Sequence, residues 1–505
     1  MIVLYKLISI LIIFINYSYA NDIDIQKQLD AQKKIIDEQA KRIDQLEIII
    51  EELKKILPRA DIDNAAIISD KKSENVTSSS KTDDIISASK NKKYNPETAF
   101  FGPLPQLRSA DGKYSAGIMG LIQLESAVYN QEANYNTNND LSDGFIVRRA
   151  GLTLAGVSEK DWIWFLSYDY ADSGDNPHDG LRAAMAIYRG FKPWWLFVGL
   201  FGNSVGLDAS NFSSQRQFME AAMPQATFIY GAGSPAMGAA ATYRGDDYYM
   251  RFGLYGEPYK NSSTDDEGMG VHGRLAWQPH KERLKAFHLG VTGYYRSANS
   301  SNTFTNGLRD STLRFRSKGE TAVSGDFIVD TGIITDLDNY HYLGYEFAMV
   351  EGPISLQSEW GILGVNRKTQ ENPQFTGGFI QAGYMLTDDA RNYNAYFAQF
   401  WRLKPKMSIM EGGIGAWEVA LRASQIDLSD KDIDGGNAYS YTLGINWYMT
   451  SFTKTMFNIL HTDSTGPLSE DFNTIGARLQ LSLIHISEPT RLLSIAVGGV
   501  GGIKK

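Results

Sequence analysis

The sequence predicts an all-β protein: a transmembrane antiparallel β-barrel of about 16 strands, preceded by an N-terminal coiled-coil helix. Three observations carry that expectation. Apolar and polar residues alternate with period two in many short segments between Lys113 and Ser482. The apolar face of those segments often begins or ends in Trp or Tyr. Ahead of them, residues 23–57 repeat in sevens.

The chain opens as an exported protein. "MIVLYKLISILIIFINYSYA" carries one basic residue, Lys6, and then an apolar run over residues 7–15. Ser18 and Ala20 supply the small residues that precede a cut after Ala20, so residues 1–20 read as an export signal, with an uncleaved anchor as the competing reading. No later stretch is long enough to cross a bilayer as a helix. The longest apolar one, "PWWLFVGLF" at 193–201, has nine residues, against about 20 for a spanning helix. An exported chain without spanning helices is periplasmic, extracellular or a barrel.

Residues 21–58 read as a periplasmic coiled coil. Leu29, Ile36, Ile43, Ile50 and Leu57 occupy one core position of the heptad; Gln32, Gln39, Leu46 and Leu53 occupy the other. Lys34, Glu38, Lys41, Glu47 and Glu51 fill the flanks, and Pro58 stops the helix. Ile with Leu in these positions favours two strands, and the buried glutamines blur that rule. A single amphipathic helix lying on another surface fits the same pattern. Residues 59–98 follow as a flexible linker: "SDKKSENVTSSSKTDDIISASKNKK" is rich in Ser, Lys and Asp and has no aromatic residue.

The barrel is expected over residues 99–482. "DYYMRFGLYGE" sets Tyr248, Met250, Phe252 and Leu254 against Tyr249, Arg251, Gly253 and Tyr255. "EVALRAS" sets Val419, Leu421 and Ala423 against Glu418, Ala420, Arg422 and Ser424. "YSYTLGINWY" sets Tyr441, Leu443, Ile445 and Trp447 against Thr442, Gly444, Asn446 and Tyr448. One face is thus apolar with aromatic ends, as Trp162, Trp164, Tyr168 and Tyr170 show in "DWIWFLSYDY". The other carries Glu, Arg, Gln and Thr and must be wet. Lipid outside and water inside separate those faces. A soluble sandwich has the same period, but roughly 370 residues of strands are long for one. At about 20–24 residues per strand and connection they make about 16–18 strands, a size that leaves an aqueous channel.

Composition narrows the function. A net charge of −9 argues against a nucleic-acid partner. Cysteine is absent, which rules out disulfides and Cys-based zinc sites. The seven histidines have no metal-ligand spacing. "DKDIDGG" starts like a calcium loop through Asp430, Asp432, Asp434 and Gly435, but Tyr441 stands where the bidentate Glu belongs, and a solvated turn is the better reading. No nucleophile elbow and no phosphate loop is present. The sequence therefore points to no enzyme, no cofactor and no metal.

Several segments resemble the phosphate-selective porin O and P family of outer-membrane porins. "FIVRRAGLTLAG" (145–156) is similar to its paired-arginine strand, and "KDWIWFLSYDYA" (160–171), "YRGFKPWWLFVG" (188–199) and "SSQRQFMEAAMP" (213–224) follow in the family's order. "EGPISLQSEW" (351–360), "GGFIQAGYMLTDD" (377–389), "GAWEVALRASQIDL" (415–428) and "YTLGINWY" (441–448) continue it. The resemblance implies a sixteen-stranded barrel in the outer membrane of a Gram-negative bacterium, a homotrimer, and a three-stranded coiled coil. It also implies a water-filled channel for passive diffusion of small hydrophilic solutes, with a preference for anions or phosphate. The runner-up is a trimeric structural protein tethering the outer membrane; stepwise conductance in a planar bilayer separates the two.

Anion selection needs Arg and Lys at a narrow point with low-dielectric walls. Arg148 and Arg149 match the family's paired arginines. With Leu152 and Leu154 assigned to lipid, strict alternation turns only Arg149 inward and leaves Arg148 near a strand end. Arg216 lies in the segment that resembles the inward-folded constriction loop. Arg182, Arg251, Arg422 and Arg478 are further wall candidates. For each, the competing role is structural pairing with a carboxylate such as Glu220 or Glu418. The chain also departs from the family: Gly202, Asn203 and Ser204 stand where charged residues are usual, Gln215 replaces or displaces a basic residue, and Ala221 stands where an arginine is expected. Fewer constriction cations weaken affinity for a divalent anion, so a general solute pathway stands beside a phosphate-preferring one.

The tail breaks the pattern. "NTIGARLQLS" (473–482) reads as the last strand, and "LIHISEPTRLLSIAVGGVGGIKK" (483–505) then loses the alternation. The expectation is foreign sequence read through at the 3′ end of the gene, with a genuine disordered extension as the alternative. Resequencing decides: an uninterrupted native frame through Lys505 refutes the foreign origin.

Overall fold

The computed structural model describes residues 106–483 apart from 132–140, 172–179, 203–204, 231–234, 257–267, 283, 299–303, 306–307, 310–311 and 466–470. The export signal (1–20), coiled coil (21–58), linker (59–98) and tail (483–505) lie outside the described residues, except that Leu483 completes the last strand.

Sixteen antiparallel strands form a closed ring. In chain order they are β1 Ser115–Gln131, β2 Gly144–Ser158, β3 Trp162–Asp169, β4 Leu181–Tyr188, β5 Trp194–Phe201 and β6 Ala236–Arg244. Then come β7 Tyr248–Tyr255, β8 Gly270–Glu282, β9 Lys285–Ser297, β10 Leu337–Glu351 and β11 Ile354–Arg367. The last five are β12 Gln374–Met385, β13 Ala416–Asp430, β14 Ile433–Tyr448, β15 Thr453–Ser464 and β16 Phe472–Leu483. Each strand pairs with the next, and β16 returns to β1 from Gly120↔Leu483 to Gln131↔Phe472. Closure leaves no unpaired edge in a solvent that offers no hydrogen bonds. Across that seam, Arg478 of β16 forms an ion pair with Glu125 of β1, and Gln123 Nε2 donates to Gln480 Oε1 at 2.8 Å.

The two strand faces separate as the alternation requires. Phe252, Leu254, Leu421, Tyr441, Leu443 and Ile475 are exposed on the outside, while Arg251, Arg422, Thr442 and Arg478 are buried on the inside. Aromatic pairs gather at the rims, where one end of the ring is dry and the other wet: Trp162–Tyr188, Trp194–Tyr243 and Trp417–Trp447 at one end, Tyr168–Tyr170 at the other. The abundance of glycine has a packing reason here. A Cβ at Gly378 would stand 2.2 Å from the Trp360 ring, and one at Gly361 2.2 Å from the Tyr342 hydroxyl.

The wall is uneven. Strands β3, β4, β5 and β7 have 8 residues each and β6 has 9, whereas β13 has 15 and β14 has 16. Connections are short at one rim: 159–161, 245–247 and 352–353 are examples. At 159–160 both residues have positive φ (50° and 66°), the twist a tight hairpin needs.

Three long connections fill much of the interior. Two, 202–235 and 298–336, enter from the rim opposite the short turns; the third, 386–415, enters from the short-turn rim itself. Alternation is silent about all three. The expected wet inner face is therefore only partly wet. Met223, Phe228 and Ile229 of the first connection pack with Phe315, Ile328 and Val329 of the second. Inward-facing Tyr294, Tyr342, Leu363 and Phe375 of the wall cover them. The first connection also holds one helical turn, Leu207–Ser210, and a π-type turn, Gln225–Tyr230.

Candidate functional site: the barrel lumen

The connection 202–235 crosses the lumen from β5, and over 214–220 the wall strands β13–β16 secure it by its backbone carbonyls. Gln480 Nε2 donates to Ser214 O (3.0 Å), Lys454 Nζ to Arg216 O (2.7 Å), Asn446 Nδ2 to Gln217 O (2.8 Å) and Arg422 Nη1 to Glu220 O (3.1 Å). A buried loop has no ladder partner, so polar inward side chains must meet its carbonyls. That requirement explains the Gln, Asn and Lys on this part of the wall.

Most inward arginines are neutralised. Arg148 grips Glu220 with a two-pronged fork, Nε to Oε1 at 2.8 Å and Nη2 to Oε2 at 2.9 Å, and Arg478 reaches the same carboxylate. Burial by itself raises the Glu220 carboxyl, but Arg148 and Arg478 hold it well below the ordinary carboxylate range. Arg149 and Arg182 share Asp169, at 3.0 and 3.5 Å. Arg422 pairs with Glu320 of the 298–336 connection, and Arg274 with Glu346 at 2.7 Å.

Beside the crossing segment a cavity of about 450 Å³ stays open. Its lining includes five cations, Arg149, Arg182, Arg391, Arg402 and Lys454, and one carboxylate, Asp169. Ser213, Ser214 and Gln215 border it from the crossing segment, and Asn392, Trp401 and Leu403 from the connection that enters at the short-turn rim. Arg402 and Lys454 have no carboxylate within 4.0 Å among the described residues. Burial pulls the Arg402 guanidinium's pKa down, though it stays a cation at neutral pH. The opening is thus a cavity bordered by an excess of positive charge.

Residues 121–483 match the family model described as Phosphate-selective porin O and P. The chain belongs to that family. It is an outer-membrane porin, and family and fold together make it a channel. The porin is 25% identical to Porin O of Pseudomonas aeruginosa over 377 residues, which cover 69% of this chain and 83% of that protein. It is 26% identical to an uncharacterised protein of Caulobacter vibrioides over 305 residues, 57% of this chain and 59% of that one, so it spans somewhat over half of that relative's length. Among solved structures, the anion-selective porin from Comamonas acidovorans superposes with a TM-score of 0.46 at 12% identity, covering 73% of this chain and 99% of that one.

Two of the arginines expected from the sequence, Arg149 and Arg182, line the porin's cavity. The assignment of Arg148 needs correction. Pairing runs Gln123↔Arg149 and then Leu124↔Val147, so Arg148 is the extra residue of a β-bulge. The bulge turns both arginines inward, one to Glu220 and one to Asp169. A similar shift between Ser167 and Tyr168 leaves Arg182 as the extra residue of β4. Arg216 does lie in the inward connection, but its side chain goes to Tyr230 and, at 3.9 Å, to Asp208. Arg251 lies over the rings of Phe197 and Phe201, and Arg422 over Phe218; neither borders the cavity. Sequence reasoning missed Arg391, Arg402 and Lys454. The first two sit in a connection long for its rim, and that length was the available signal.

Proposed function

We propose that this porin is a homotrimeric, anion-preferring channel through which small hydrophilic solutes diffuse passively, without catalytic activity. The observation that carries the reading is the charge of the open path, five cations against one carboxylate. Low-dielectric walls amplify such an imbalance and raise the local anion concentration. Arg149, Arg182, Arg391, Arg402 and Lys454 are the residues to which the selectivity is assigned. Arg148, Arg216, Arg251 and Arg422 support the walls and the crossing segment instead. Gln215 and Ala221 support a general anion path over a phosphate-specific one, because no cation of the crossing segment borders the cavity. Residues 1–20 would deliver the chain to the membrane, and residues 21–58 would stand in the periplasm as a trimeric stalk.

What supports the trimer is the short wall. Eight residues span about 26 Å along a strand and about 20 Å along the membrane normal at a 40° tilt, against an apolar band about 25 Å tall. Four outward residues at the centre of that wall are small, Ala184, Ala186, Ala239 and Ala241, and sit between larger ones such as Leu166, Leu196 and Val198. A neighbouring copy covers such a wall better than lipid does.

Planar-bilayer recordings test the reading. Stepwise conductance is expected in triplets, with reversal potentials in a potassium chloride gradient that favour chloride. Preference for potassium refutes it. Asp169→Asn releases Arg149 and Arg182 from their shared carboxylate and is expected to raise the chloride-to-potassium permeability ratio roughly two- to fivefold. An unchanged ratio would remove these two arginines from the filter.

A further inference from the structure

The cavity is more than a charge filter, because most of its lining is apolar. Phe165, Phe201, Phe212, Trp401, Leu403 and Phe452 all border it. Strongly hydrated ions gain nothing from such walls: inorganic phosphate needs donors around every oxygen once it leaves water. A volume of about 450 Å³ lies in the range of pockets that hold small organic molecules, and those pockets pair apolar walls with a few well-placed polar groups.

The polar groups are of an unusual kind. Arg402 lies 5.1 Å from the centre of the Phe452 ring, and its guanidinium donates to no acceptor among the described residues. Its Nη1 is closed off from the cavity, and its unpartnered Nε and Nη2 are the donors that remain accessible to a ligand. Lys454 gives one hydrogen bond to Arg216 O and lies 5.2 Å from the Tyr448 ring centre. An ammonium has three donors. Phe212 and Trp401 meet edge to face at 6.0 Å, joining the two connections that enter from opposite rims.

We infer that this cavity is a binding subsite for a small organic carboxylate with an apolar body. Arg402 and Lys454 take the carboxylate, and Phe212, Trp401 and Phe452 flank the body. The inference rests on the anion-preferring reading and deepens it by naming the class of solute that the path retains. A forked guanidinium suits the two oxygens of a carboxylate, and the aromatic walls suit what the carboxylate is attached to.

Titrating the chloride current of the bilayer-inserted porin with benzoate, acetate and phosphate tests it. Benzoate is expected to half-block at a concentration at least about tenfold below that of either other anion, the worth of burying part of a ring. Arg402→Gln is expected to raise the benzoate figure about tenfold, and Trp401→Ser to bring benzoate close to acetate. Step conductance in each variant shows that it has folded and inserted. Benzoate blocking no better than acetate overturns the subsite, as does phosphate blocking best. Either result, combined with reversal potentials that still favour chloride, leaves the anion channel standing; reversal potentials favouring potassium bring down the channel reading itself.

Discussion

Replacing Arg402 and Lys454 together by glutamate is expected to reverse the porin's ion preference from chloride to potassium. The lining then holds Arg149, Arg182 and Arg391 against Asp169 and two new carboxylates. Asp169 already pairs with both Arg149 and Arg182, and Arg391 Nε has Glu418 at 4.0 Å. The lining falls from four net positive charges to none, and each remaining cation already has a carboxylate within 4.0 Å while the two new carboxylates have no counter-charge of their own. The reversal potential in a salt gradient is expected to change sign, with a permeability ratio shifted by at least about tenfold. Lys285→Glu at the exposed rim changes little, because water screens that charge. A double variant that keeps chloride preference would show that the selective point lies elsewhere in the lumen.

Glu346→Gln is expected to give the largest loss of stability. The carboxylate lies on β10, fully enclosed, with Arg274 Nη2 at 2.7 Å and His288 Nε2 at 3.0 Å. Each partner also holds the connection that enters at the short-turn rim. Arg274 Nη2 donates to Ala398 O at 2.8 Å, and His288 Nδ1 stands 2.6 Å from the Tyr393 hydroxyl, which donates to Gln278 at 3.0 Å. Removing the charge strands a buried guanidinium, a change that costs about 3–5 kcal/mol. Heat-dependent gel mobility in detergent is expected to show unfolding at a clearly lower temperature, and conductance is expected to become larger and noisier as residues 386–415 loosen. Adding Arg274→Met should recover much of the loss, since two uncharged residues are tolerated where half of an ion pair is not. Unchanged thermal mobility would show that the pair contributes little.

The sequence carried the wall well and its contents poorly. Lipid and water impose opposite demands on adjacent residues, so Leu443 and Thr442 announce their faces without any tertiary information. The phase slip at the paired arginines was also present in the text. Val147 and Leu152 both face out, five residues apart, and an odd spacing requires a bulge between them. Strict alternation, applied from one side only, hid it. The carboxylate partners were unreadable for a different reason: Arg478 meets Glu220 across 258 positions, and Arg422 meets Glu320 across 102. Such pairs depend on how loops fold into the interior, and no periodicity governs loops. Arg391 and Arg402 escaped for the same reason, whereas Lys454 sat on a legible strand and needed only to be weighed beside the arginines.

The seam between the first and last strands is tied to the segment inside the barrel. Arg478 holds Glu125 across that seam while also donating to Met219 O and reaching Glu220 within the crossing segment. Closing the final strand onto the first and holding the crossing segment therefore draw on one guanidinium. A cylinder closed before that segment is in position keeps Glu125 for Arg478 but leaves Met219 O and Glu220 without it, so the guanidinium that locks the seam also marks whether the interior is filled.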